Sequence, residues 1–163
     1  MAELTNLETK LGEVLGLAMA AQGATEKVKK LDDLDGDLAE TLDRMHDEAK
    51  QAEERATKVA GEFEGKKTAI LDEAREVKQK ATEMMRDYLD READALDGFE
   101  FLTMAEAGEV GHWSVLRKLN ERARRDDVQQ LVEWALPIQE RHFQAVLDGS
   151  LALAGAEDPN EPS

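Results

Sequence analysis

Apolar residues recur every three or four positions through almost the whole chain, a period that permits long helices and little else. Behind Thr5-Asn6-Leu7-Glu8, a capping-box pattern, Leu7, Leu11, Val14, Leu15, Ala18 and Met19 share one side of a helix over about residues 5–30. Leu31 to Gly36 is turn chemistry. Leu38, Leu42, Met45, Ala49, Ala52, Ala56, Val59 and Phe63 then form a second stripe, which Gly65 ends as a left-handed cap. A third segment, with Leu71, Ala74, Val77, Ala81, Met84, Met85 and Tyr88, runs through acidic residues to Asp97-Gly98 and reads as a crossover, partly helical.

The next helix carries Leu102, Ala105, Glu109, His112, Leu116, Leu119 and Ala123 on one face. It ends in the basic run Arg122 to Arg125, where cations meet the negative end of the helix dipole. Asp126 or Asp127 caps a last helix with Val128, Leu131, Val132, Ala135, Ile138, His142 and Val146 inward and Gly149 at its close. Pro137 predicts a kink just before Gln139 and His142. Residues 155–163 read as a frayed acidic tail on a single domain spanning 1–154.

Composition agrees with an all-α fold: aromatics are 4%, and two of the three prolines fall in the last five residues. The balance of 21 basic to 37 acidic residues, a formal charge of −16, repels phosphate backbones and anionic lipid, so neither nucleic acid nor a membrane surface is an expected partner. Without cysteine there is no thiolate metal site or redox thiol. The N-terminus lacks the basic and apolar regions of a signal peptide, and the run Val14 to Ala21 is far short of the ~20 residues of a spanning helix; a cytoplasmic location is expected.

Glu109 lies near the centre of an apolar stripe, where an ionised carboxylate needs a cation or strong donors. His112 is one turn on. Reflection through the turn near residue 125 sets Gln139 and His142 level with this pair. Glu109-x-x-His112 has the spacing that puts two metal ligands on one helix face, and Gln139-x-x-His142 repeats it with an amide in the carboxylate place. The rival reading is a hydrogen-bonded polar core with no metal. In the first hairpin, reflection near residue 34 sets His46 level with Gln22, while Glu48 flanks the second stripe. Two helical hairpins joined by a long crossover is the connectivity of ferritin-like four-helix bundles.

With Met45-His46-Asp47-Glu48, the Gly65-Lys66-Lys67 break and Ala105-Glu106-Ala107-Gly108-Glu109-Val110-Gly111-His112-Trp113, the chain resembles the YciE/YciF-like group of the ferritin-like superfamily over most of residues 10–147. The resemblance implies a ferritin-like bundle, dimeric as a homodimer, with a rubrerythrin-like di-iron or di-manganese centre and a part in stress response. Carried over by position, Gln22, Glu48, Glu109 and Gln139 with His142 take the ligand places, two of them held by glutamine. The expected activity is then metal-dependent oxidoreduction of peroxide or of iron. The alternative expectation is a non-enzymatic structural or interaction protein with a metal-free polar core.

Overall fold

The computed structural model describes residues 2–163, which form five helices and, among the described residues, no strand. They are α1 (Asn6–Lys29), α2 (Gly36–Gly61), α3 (Lys67–Tyr88), α4 (Ala95–Ala123) and α5 (Asp126–Gly155). None is long and apolar enough to cross a membrane.

Three helix starts are written locally. The Thr5 hydroxyl accepts from the Glu8 N–H at 3.2 Å, and the Glu8 carboxylate accepts from the Thr5 N–H at 2.8 Å. Asp94 and Asp97 make the same reciprocal pair at the head of α4, and Asp35 caps α2 alone. Asp97-Gly98 therefore lies in the first turn of a helix and does not separate two segments. At α5 neither Asp126 nor Asp127 is the cap; Arg125 holds that position, and its guanidinium is drawn to Asp127 instead.

The connection after α2 differs from expectation. The second helix stops at Gly61, and Gly65, at φ 72°, turns the following loop instead of capping the helix. The crossover, expected to be partly helical, is helical over the 22 residues of α3, which lies against α1 and α2. Gly12 and Gly16, one turn apart on α1, explain the fit. A Cβ on Gly16 would stand 2.4 Å from the carbonyl oxygen of Ala74, and one on Gly12 would stand 2.9 Å from that of Ile70. Only hydrogen at both positions lets the two backbones approach so closely.

The other four helices close a ring of contacts: α1 on α2, α2 on α5, α5 on α4 and α4 on α1. Gly149 lies inside α5 and does not end it; its absent side chain leaves room for the Phe99 ring, which an added Cβ would meet at 2.6 Å. Pro137 is exposed and α5 continues through it.

The apolar core divides in two. One cluster holds Leu11, Val14, Leu15, Ala56, Phe63, Ile70, Trp113, Leu116, Val128 and Val132. The other holds Val28, Leu42, Met45, Phe99, Leu102 and Val146. On α4 and α5 the residues between the two clusters include buried polar side chains, Glu106 and Glu109 on the one and Gln139 and His142 on the other.

Candidate functional site

Along α1 the first cluster ends at Ala18 and the second starts at Ala24; on α2 the gap lies between Met45 and Ala52, on α4 between Leu102 and Trp113, and on α5 between Leu136 and Val146. Into those gaps fall Gln22, Glu48, the pair Glu106 and Glu109, and the pair Gln139 and His142. One level of the bundle thus receives polar side chains from all four helices of the ring.

Glu106, Glu109, Gln139 and His142 are at most 4% exposed. His142 bridges the layer. Its Nε2 lies 3.3 Å from Glu48 Oε1, and its Nδ1 lies 3.8 Å from Glu106 Oε2, the second being too long for a hydrogen bond. Because a carboxylate can only accept, Nε2 is assigned the proton and Nδ1 keeps its lone pair toward Glu106. Burial lowers the imidazole pKa below its ordinary value, against the opposing pull of Glu48.

Glu48 has what the other acids lack. Burial alone would raise its pKa, but hydrogen bonds from Arg141 and His142, with their charges, outweigh that and hold the carboxyl below the usual range. The α4 pair has no arginine or lysine partner among the described residues. Burial pushes Glu106 up to about 8. Burial and then the neighbouring Glu106 push Glu109 well above the usual carboxylate range. Glu106 Oε2 and Gln139 Oε1 have no hydrogen-bond partner, nor does the indole N–H of Trp113 one turn beyond Glu109. Such orphaned buried atoms are uncommon and call for an explanation.

Five of the residues expected from sequence, Gln22, Glu48, Glu109, Gln139 and His142, come to this layer. Gln22 is turned across the α1–α2 seam, donating from Nε2 to Glu53 and to the Ala18 carbonyl. The two remaining histidines go elsewhere. His112 is half-exposed on the α1 side of α4, with Nδ1 3.2 Å from both Glu13 Oε2 and Lys10 Nζ. His46 sits on the α1–α2 rim, 3.0 Å from Glu26. The expected pairing of Glu109 with His112 in the core is replaced by Glu109 with Glu106.

Glu106 was missed because Leu102, Glu109 and Leu116 belong to two possible stripes. One continues through Ala105, His112 and Leu119; the other through Glu106, Trp113 and Asn120, and the latter is buried. The signal that separates them is bulk. Phe99 and Trp113, two of the largest buried side chains, lie on the Glu106 side.

A pocket of about 230 Å³ opens between α1, α3 and α4 beside the acid pair, and Glu106, Glu109 and His112 are among its lining residues. Its remaining walls are mostly alanine, leucine and methionine, with Met84 and Met104 exposed at its edge.

The donors of the layer are of the types that hold iron or manganese: carboxylates, an imidazole and amide oxygens. They are not gathered as a metal site gathers them. Among the described residues no three His, Asp or Glu side chains converge to hold an ion. Glu48 is already engaged by Arg141, and amides stand at two carboxylate positions, so the layer does not fit a two-metal carboxylate centre. No family model, no curated protein and no solved structure matches the chain.

Proposed function

We propose that the chain is a ferritin-like four-helix bundle, with α3 as a helical crossover packed outside the ring, that binds a cation at the Glu106–Glu109 pair of its core. One observation carries this reading: two glutamates one turn apart on α4 are both buried in the interior, and no arginine or lysine of the described chain is paired with either. Two like acids in an apolar setting repel one another's charge and hold their protons, and a cation seated between them would offset both penalties.

A metal ion is the second reading, favoured by the bare oxygens. Glu106 Oε2 and Gln139 Oε1 have no hydrogen-bond partner, and the Nδ1 lone pair of His142 faces Glu106. Holding a single iron or manganese ion would require Glu106, Glu109, His142 and Gln139 to draw together from the positions they occupy. The ion would supply positive charge there.

Urea unfolding in sodium buffer at pH 8, with and without Mn(II), anaerobic Fe(II) or an alkylammonium ion, tests the proposal, since a ligand bound only by the folded state raises the midpoint. At least one of these cations should raise it for the natural chain and not for the Glu106→Gln/Glu109→Gln double variant. If none produces a shift that depends on the acid pair, the cation-binding reading is wrong. Elemental analysis of untagged protein before and after loading, with His142→Ala as control, decides on metal: about one ion per chain, lost in the control, would support the second reading. No bound ion would eliminate it.

A further inference from the structure

Cations on the two helices flanking α4 are already engaged. On α5, Arg141 is hydrogen-bonded to Glu48 of α2, and burial keeps His142 toward its neutral form. On α1, Lys10 is paired with Glu13 beside His112 at the edge of the pocket. From α3 the pocket receives only Ala81, Thr82, Met84 and Met85, none of them charged. The pocket walls are therefore mostly apolar, and Glu106 and Glu109 are the acids among its lining residues, with no arginine or lysine of the described chain paired with either.

A hydrated divalent ion would surrender its water shell to walls of alanine, leucine and methionine that give it nothing back. An alkylammonium ion matches both parts of the site. Its carbon chain gains from burial against Leu17, Ala21, Met85 and Leu102, as a lysine stem does, and its N–H groups donate charge-assisted hydrogen bonds to carboxylates.

We infer that the cation taken by this core is an organic ammonium ion with a short apolar tail, lying in the pocket between α1, α3 and α4 with its head at Glu106 and Glu109. The inference rests on the cation-binding reading above and names its ligand class. It carries a signature. With burial holding Glu106 at about 8 and Glu109 well above its usual range, the empty site keeps its protons near neutrality, so seating an ammonium ion expels protons to solvent.

The test uses the full chain with ¹³C-labelled methionine methyls, titrated at pH 7 with n-hexylammonium and separately with hexan-1-ol, which has the same tail and no charge. Met84, Met85 and Met104 line the pocket, and Met45 is a buried internal control outside it. Hexylammonium should shift the three pocket methyls and leave Met45 in place. It should bind at least about tenfold more tightly than hexanol, the scale of one charge-assisted hydrogen bond. Calorimetry in two buffers of different ionisation enthalpy should detect proton release with the amine only, and Glu106→Gln should bring the amine down to the affinity of the alcohol.

Equal affinities for amine and alcohol would overturn the ammonium assignment while leaving the pocket as a binding site. If Mn(II) raises the urea midpoint in an acid-dependent way and hexylammonium does not, the cation-binding reading survives and this inference fails. If neither ligand nor metal has any effect, both fall.

Discussion

Raising the pH should destabilise this protein in a range where most proteins are indifferent, and Glu106→Gln should remove much of the effect. An unfolded glutamate ionises near 4.5, whereas Glu106 in the fold keeps its proton to about 8. Between those values the unfolded chain has released a proton that the native chain retains, so stability falls as pH rises. The stabilising difference is complete below the unfolded pKa and is lost by the time pH passes the folded one. His142 has the opposite sense: its folded pKa lies below 6.5, so at low pH the unfolded state takes up the proton and stability rises with pH until about 6.5.

The window from pH 6.5 to 8 thus isolates the acids. Over those 1.5 units Glu106 alone contributes a loss of about 2 kcal/mol, at about 1.4 kcal/mol per unit, and Glu109 adds to it in the same direction. With a urea m-value of about 2 kcal/mol/M, the midpoint should fall by about 1 M or more in sodium buffer free of divalent ions. Glu106→Gln has nearly the same shape and no charge. Its midpoint should fall distinctly less across the window, leaving the variant more stable than the natural chain at pH 8 and close to it at pH 5. A natural chain whose stability is flat or rising from pH 6.5 to 8, or a variant with the same slope, would refute the argument that this carboxyl is buried without a counter-charge.

Gly16→Ala should destabilise by about 1–3 kcal/mol in urea unfolding, despite alanine's better helix propensity, because its Cβ meets the Ala74 carbonyl at 2.4 Å. Gly23→Ala, where a Cβ meets nothing, should be neutral or stabilising. Asn120 is 2% exposed and holds the α4–α5 turn at both ends, donating to the Arg125 carbonyl at 3.0 Å and accepting from its N–H at 3.2 Å; Asn120→Ala should lower stability by about 1–3 kcal/mol. Thr5→Ala, which breaks the capping box of α1, should lower it by about 1 kcal/mol, and hydrogen exchange should quicken in the first turn.

Much of this architecture was legible in the residue order because its causes are local. Thr5 with Glu8, and the three-and-four spacing of Leu11, Val14, Leu15 and Ala18, act within a turn or two of chain, and they place α1 without reference to any other helix. Reflection through a short turn is nearly as local, and it sets Glu109, Gln139 and His142 near one level of the bundle. Where α3 docks is not legible in its own residues because its seat lies on another element: the bare backbone at Gly12 and Gly16.

The sequence by itself determined the helical class, four of the five helices, the last of which runs on past its expected close at Gly149, and a core level richer in polar groups than a simple bundle needs. Tertiary structure decided which edge of each stripe faces inward. On α4 a rotation of less than half a turn separates His112 beside Glu13 from Glu106 beside His142, and the hydrophobic period alone does not distinguish them. The choice is made by volume, since Phe99 and Trp113 can be buried together only on the side that carries Glu106 inward with them. Partners across the bundle then set the chemistry: Arg141 reaches Glu48 and keeps it ionised, while Glu106 and Glu109, equally acidic in sequence, are buried without an arginine or lysine partner and hold their protons.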